Sequence, residues 1–323
     1  MKVLAIRLGR FGDLVLLLPA LTLLKARLPG CHLSLLTDTR WTSLAGLCPA
    51  IDEIIPVDRL AMRHGPPWRA AARIMRLMSD LRRRGFDVVI DYHGFRETNL
   101  LAWWSGAPAR WGLKRFDQSF LGFCFNRPPV IEDKALHASE SFLRLTSSVA
   151  PQDNGAYAQA ALAIPEEALR RAAENVPSAP FTVLFVDAPV PERIWPLDRF
   201  AELARHIARS HGTPVVVIGR NARKLDRLGD FLVFPELTIP RLAALVSRAS
   251  ILVSNDTGPM HLGPALGVPT VAIFSVGIPT HFRPTGPLDR YVRGNPIETV
   301  GVDEVMAAVN EIRNSIDRPG LRR

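Results

Sequence analysis

Cysteine is scarce in this 323-residue chain: Cys31, Cys48 and Cys124 are the only three, an odd number without metal-ligand spacing. That excludes a disulfide framework and points to a reduced, cytosolic protein. No secretory signal is expected, because Met1-Lys2 runs straight into the strand-like Val3-Leu4-Ala5-Ile6. The longest apolar segment, Leu14 to Leu24, is interrupted by Pro19 and Thr22. It falls short of the roughly 20 residues a bilayer-spanning helix requires, so the chain is not expected to be integral to a membrane. Zinc-finger spacing, a recognition-helix motif and an RNA-binding aromatic signature are all missing, and nucleic acid is therefore not an expected partner. The sequence also lacks any Asp-x-Asp pair of the kind that clamps a divalent cation on a diphosphate, and no metal is expected.

What is present suits a globular enzyme of two domains. Hydrophobic residues make up 47% and charged residues 22%, and the length exceeds what one hydrophobic core usually serves. Charge is uneven: residues 1–150 hold 21 Lys and Arg against 13 Asp and Glu, leaving 19 against 18 for the rest. Much of that excess is the series Arg63, Arg69, Arg73, Arg76 and Arg82-Arg83-Arg84. Clustered cations of this kind suit an anionic acceptor or an anionic membrane surface, and equally a merely solvated face.

Periodicity gives the fold class. Short β-branched runs at Val3–Leu8, Leu33–Thr37, Ile54–Val57 and Val88–Asp91 alternate with helical stretches at Leu14–Leu28 and Trp68–Arg84. The rhythm restarts with strands at Phe181–Val186 and Val215–Ile218 and helices at Phe200–Arg209, Leu242–Ser247 and Val302–Ile316. Such alternation predicts an α/β protein of two Rossmann-like, doubly wound domains, spanning residues 1–160 and 161–323. The linker is expected among Pro151, Gly155, Pro165 and Pro177.

Three stretches carry candidate chemistry. Ser250 to Asn255 reads as a buried strand, followed by the polar turn Asp256-Thr257-Gly258-Pro259-Met260-His261 and a second strand from Thr270 to Phe274. Asn255, Asp256 and Thr257 are all suitable helix caps, and a helix starting there would offer free N–H groups to a phosphate. An ordinary capped helix without a ligand fits the same residues. Near the start, Gly9-Arg10-Phe11-Gly12-Asp13 forms a tight loop between strand and helix, with Asp13 placed as a helix cap. In the third, Glu192-Arg193-Ile194-Trp195-Pro196, Arg193 reads on the residues alone as a solvated surface cation.

Ser-Asn-Asp-Thr-Gly-Pro-Met-His-Leu at 254–262, with Ala265-Leu266-Gly267-Val268-Pro269 after it, resembles the donor-site signature of the family 9 glycosyltransferases, the bacterial heptosyltransferases. Ile6-Arg7-Leu8 through Gly12-Asp13 and Leu18-Pro19-Ala20-Leu21 is similar to their amino-terminal signature, and Arg193 lies where that family has a cation two residues before Trp-Pro. The resemblance implies the glycosyltransferase B architecture, in which two Rossmann-like domains face a cleft. It also implies an inverting transfer of heptose from ADP-heptose to lipopolysaccharide inner core, an anionic glycolipid. Asp13 would be the catalytic base. Gly12, Arg193, Asp256, Thr257, Gly258, Pro259, Met260 and His261 would bind the donor, and Arg10 and Arg63 the acceptor.

The match is imperfect. Asp187-Ala188-Pro189 stands where the family has a small or hydroxyl-bearing loop, the 219–235 segment lacks a glycine-rich run, and Ser275-Val276-Gly277 replaces Gly-Pro-Thr. Two other readings therefore stay open: a nucleotide-sugar epimerase or hydrolase of the same architecture, and a catalytically silent nucleotide-sugar-binding protein.

Overall fold

The computed structural model describes residues 1–151, 162–220 and 231–316. Gly155 and most of the 219–235 segment lie outside the described residues. The chain divides into two units, Met1–Ala163 and Ile164–Arg323.

The first unit is built on a parallel sheet of six strands in the order β3-β2-β1-β4-β5-β6. The strands are β1 (Lys2–Arg7), β2 (His32–Asp38), β3 (Glu53–Val57), β4 (Val88–Asp91), β5 (Ala109–Lys114) and β6 (Val130–Ile131). All the pairings are parallel, and the middles of the central strands are apolar because helices cover both faces, with polar residues such as Arg7, Asp38 and Asp91 at their carboxyl ends. The helix Phe11–Arg27 is apolar on nearly every side and buries ten of its residues, Pro19 included in its span. The helix Pro67–Arg84 behaves differently. Leu81 is buried and Leu77 and Met78 pack against the core, while Trp68 and Met75 are 67% and 59% exposed.

The second unit repeats the plan, with sheet order β12-β11-β10-β7-β8-β9. Its strands are β7 (Thr182–Phe185), β8 (Val215–Ile218), β9 (Leu232–Phe234), β10 (Ile251–Asn255), β11 (Thr270–Phe274) and β12 (Arg290–Arg293). Read outward from each first strand, both sheets show the same winding, with a reversal of strand order between β1 and β4 and between β7 and β10. Ligands bind beyond the carboxyl ends of such strands, at the point of reversal. The alanine-rich helix Glu166–Asn175 belongs to this unit, since Ala168 and Ala172 pack on Ala244 of the helix Ile239–Ser247. The final helix, Val302–Ile316, buries Val305, Val309 and Ile312 in the same core as Phe200 and Trp195.

Candidate functional site

In the first unit the reversal point is occupied by charge. Arg7, the last residue of β1, is only 2% exposed. Its Nη2 lies 3.0 Å from Asp13 Oδ1, its Nη1 donates to the Tyr92 carbonyl at 2.6 Å, and its guanidinium stands 4.7 Å from the centre of the Phe142 ring. Asp13 sits in the first turn of the helix Phe11–Arg27, where its Oδ2 accepts the Arg10 backbone N–H at 2.8 Å. The carboxylate is thus both cap and ion-pair partner. Burial by itself would raise its pKa, but the adjacent Arg7 and the Arg10 N–H outweigh that and hold it below the usual carboxylate range.

Glycine makes this closeness possible. A Cβ at Gly9 would lie 2.6 Å from Asp13 Oδ2 and 3.1 Å from Arg7 Nε. The loop is also pinned from outside, because Trp41 Nε1–H donates to the Gly9 carbonyl at 3.0 Å and Arg59 donates to that of Leu8. Gly12 lies buried in the first helical turn. The Arg10 side chain is exposed, as is Arg63 at the end of the short helix Arg59–His64.

After β4, the loop to the helix Arg96–Trp104 is tied down by Asp91. Its carboxylate accepts the N–H groups of His93 and Gly94 and the Asn99 side-chain amide, at 2.9, 3.0 and 2.8 Å. Gly94 has φ +72°, and a Cβ there would meet the Leu113 carbonyl at 2.5 Å, so the turn accepts only glycine. His93 stacks on Phe95 with ring centres 4.3 Å apart, and Arg115 lies 5.5 Å from the Phe95 ring. Arg115 in turn faces Glu132 at 3.4 Å.

In the second unit the reversal point is held by Asn255, at the end of β10. Its amide accepts the Trp195 N–H at 3.1 Å and donates to the Val186 carbonyl at 2.8 Å. Trp195 is fully buried, with Nε1–H donating to the Val300 carbonyl at 3.0 Å. The Trp-Pro pair therefore organises the loop that carries Arg193. Arg193 Nη1 lies 3.2 Å from Asp256 Oδ2, and its own Nε is buried without a partner. Burial raises the Asp256 pKa, and Arg193 only partly offsets it. Gly277 makes room for this pair, as a Cβ there would stand 2.1 Å from Asp256 Oδ2.

Several expectations for this loop need correction. Neither Asn255 nor Asp256 caps a helix, and the Thr257 side chain makes no capping bond. The expected helix is one 3₁₀ turn, Gly258–His261, running into one α-turn, Leu262–Ala265. Pro264 withholds the N–H that would bond back to the Met260 carbonyl, and Gly267, at φ +73°, ends the segment. A helix dipole of this length is small. The Met260 side chain is fully buried against Ala272 and Phe274, and His261 is buried too. Thr257, Gly258 and Pro259 are half-exposed.

The sequence pattern described as glycosyltransferase family 9 (heptosyltransferase) matches residues 74–304, well over half of the chain. The chain belongs to glycosyltransferase family 9. A lipopolysaccharide heptosyltransferase 1 of Pseudomonas aeruginosa is 26% identical over 294 residues, covering 85% of this chain and 78% of that protein. Among solved structures, the glycosyl transferase family 9 protein of Veillonella parvula superposes with a TM-score of 0.82 at 22% identity, over 97% of each chain. An E. coli heptosyltransferase with ADP-2-deoxy-2-fluoro heptose gives 0.79 at 21% identity, over 96% of this chain and 99% of that one.

As a family 9 glycosyltransferase the chain keeps its three signatures at two sites. Asp13, Gly12 and Arg10 share the β1 end of the first unit, while Arg193 and residues 256–261 share the β10 end of the second. Sequence reasoning missed Arg7, Arg59, His93 and Arg115. Asp91-Tyr92-His93-Gly94, a strand end running into a turn glycine, was the available signal for His93. The departures have local explanations: Asp187 accepts the Arg220 backbone N–H, and the Ser275 hydroxyl donates to the Glu192 carbonyl.

Proposed function

We propose that this family 9 glycosyltransferase moves heptose from ADP-heptose onto lipopolysaccharide inner core, with inversion and without a metal. The observation that carries the reading is Asp13, held ionised by Arg7 and the Arg10 N–H beyond the end of β1. The first unit is then the acceptor-binding domain and the second the donor-binding domain. Support for the donor and acceptor comes from the relatives' names and from the neighbour solved with a fluorinated ADP-heptose.

In the proposed step, the acceptor hydroxyl gives its proton to the Asp13 carboxylate as its oxygen attacks the anomeric carbon. The new C–O bond forms on the face opposite the diphosphate, and the bond to the diphosphate breaks with its electron pair leaving on ADP. Arg193 and the turn Thr257–Pro259 stabilise that charge, with Asp256 orienting the guanidinium. Gly12, Met260 and His261 then shape the donor site through packing, and Arg10 and Arg63 meet the anionic acceptor.

The acceptor is a glycolipid, and on this reading the enzyme works in the cytoplasm against the anionic inner face of the plasma membrane. No helix among the described residues is long and apolar enough to cross a membrane. On the helix Pro67–Arg84, Trp68, Ala72 and Met75 are four and three residues apart and so share one face, with Arg69, Arg73, Arg76, Arg82 and Arg83 exposed around them. An exposed Trp among arginines on an amphipathic helix suits the interface of an anionic bilayer.

The test is release of ADP from ADP-heptose with and without heptose-deficient lipopolysaccharide, in the presence of EDTA. Transfer requires release only with the acceptor, undiminished by the chelator, and a product of inverted anomeric configuration by NMR. Release without acceptor would make the protein a hydrolase or epimerase, and binding without release a silent module.

A further inference from the structure

The two faces of the first sheet are covered differently. The helices Pro67–Arg84 and Arg96–Trp104 and the 3₁₀ turn Gly122–Cys124 lie on one face, since Leu77, Leu81, Leu101 and Cys124 share a core with Ile6 and Val89. Arg7, next after Ile6, points to the other face, where it meets Phe142 of the helix Ala138–Val149. Thr146 of that helix bonds to the Ala20 carbonyl of Phe11–Arg27. Neither of these two helices exposes a large apolar side chain, whereas the first layer exposes Trp68, Ile74, Met75, Leu100, Trp103 and Phe123.

The apolar tips are not confined to the helix Pro67–Arg84. Arg96, Leu100 and Trp103 are four and three residues apart and share the outer face of their own helix, opposite the buried Leu101 and Ala102. Trp103 is 45% exposed and Phe123 65%, with ring centres 6.3 Å apart. Exposed apolar surface of this extent marks an interaction site. Exposed positions of the two helices carry Arg69, Arg73, Arg76, Arg82, Arg83 and Arg96 against one carboxylate, Glu97. Asp80, the remaining acid, is paired with Arg84 at 2.7 Å. A protein partner is matched by a compact apolar centre with a polar rim. Aromatic tips scattered among uncompensated arginines match an anionic bilayer instead, apolar beneath and negative above.

The spacing of the tips sets an orientation. Arg82 Nη1 donates to the Trp104 carbonyl at 3.3 Å, so the carboxyl ends of the two helices lie together, with Trp103 among them. Trp68 is at the other end of its helix, about 20 Å away along the axis at about 1.5 Å per residue. We propose that this whole helical layer is the membrane footprint, with Trp68 and the Trp103–Phe123 pair as separate insertion points that hold the strands of the first unit along the bilayer plane. The inference rests on the anionic-bilayer reading of Pro67–Arg84 and on nothing about the reaction. Asp13, beyond the end of β1, then stands about one helix diameter, roughly 10 Å, above the headgroups, at the level of the sugars of a lipid-anchored acceptor.

The experiment uses the full chain and phosphatidylglycerol vesicles at low salt, without any sugar substrate. Trp103→Ala with Phe123→Ser should lower partitioning onto the vesicles at least fivefold, with the far-UV circular dichroism of wild type retained. Phosphatidylglycerol brominated in its acyl chains quenches indoles that enter the bilayer, and the conservative variants Trp68→Phe and Trp103→Phe should each remove at least a fifth of the wild-type quenching. Quenching that falls with Trp68→Phe alone would mean that the unit tips onto one end of Pro67–Arg84; that overturns the proposal and leaves the membrane reading standing. No binding of wild type removes both. A dimer in sedimentation velocity that Trp103→Ala with Phe123→Ser dissociates, with vesicle binding unchanged, would assign the patch to a second copy of the chain and overturn the proposal as well.

Discussion

Arg7 and Asp13 pair at 3.0 Å, the guanidinium 2% exposed and the carboxylate 28% exposed. One partner is thus locked in the core and the other reaches solvent, which is the arrangement a positioned base requires. Replacing Asp13 by Asn keeps the shape and removes the proton acceptor. Turnover should fall by about 10²–10⁴-fold. Leaving Arg7 without its counter-charge should also lower stability by about 1–3 kcal/mol in denaturant titration. Near-wild-type turnover in this variant would refute the base assignment.

The pH dependence follows from the direction of the shift. Because the Asp13 pKa is lower folded than unfolded, its contribution to stability is fully present above the unfolded value of about 3.9 and disappears as pH falls through the folded one. The acid limb of kcat/KM that belongs to Asp13 should therefore lie below about pH 4. A pH–rate profile with its acid limb near neutrality in wild type, shifted by Asp13→Glu, would contradict this.

Gly9→Ala tests the close approach without touching either charge. The new methyl would meet Asp13 Oδ2 at 2.6 Å, and the Trp41 bond to the Gly9 carbonyl prevents easy retreat. A fall of at least about tenfold in kcat is expected, with a stability loss of about 1–3 kcal/mol from overpacking. Steady-state kinetics indistinguishable from wild type would show that the loop yields freely.

Arg193 and Asp256 should separate catalysis from stability. Arg193→Ala removes a cation from the leaving diphosphate, and a loss of about 10²-fold in kcat is expected. Asp256 has its pKa raised by burial, so its ionised form is disfavoured in the fold as pH rises above the unfolded value of about 3.9. Asp256→Asn should therefore melt no lower than wild type at pH 7, and any gain should vanish below about pH 4. A variant markedly less stable at pH 7 would mean that the ion pair is worth more than the burial it costs.

The outer face of the helix Pro67–Arg84 predicts lipid selectivity. Wild type should sediment with phosphatidylglycerol vesicles at low salt and be released as salt is raised, each surface arginine contributing about 1 kcal/mol. Trp68→Ala with Met75→Ser should weaken binding, although neither side chain supports the core. Failure of wild type to bind anionic vesicles at low salt would remove the membrane reading.

Most of the central strands were legible because β1, β4, β8, β10 and β11 are short apolar runs bounded by turn residues. β5, Ala-Arg-Trp-Gly-Leu-Lys, has no such run, while β6 and β12 are edge strands of two and four residues with exposed positions. Those strands are defined by their pairing with a neighbour, which no local pattern announces. The polar turn after β10 was legible as the start of a helical segment, which runs from Gly258 to Ala265, but its capping was misjudged, because Asn255 and Asp256 satisfy Trp195, Val186 and Arg193 instead of the backbone that follows them.

Local pattern by itself determined the alternation of strand and helix, the division into two halves and the three motifs, since each depends on residues adjacent in the chain. Only the tertiary structure decided which charges share a low-dielectric space. Arg7 and His93 are 86 positions apart, and parallel pairing of β1 with β4 brings their ends together around Asp13. Arg193 and Asp256 meet because β7 lies beside β10 and Gly277 leaves the room. Electrostatic interaction depends on distance and burial, and neither is set by order along the chain.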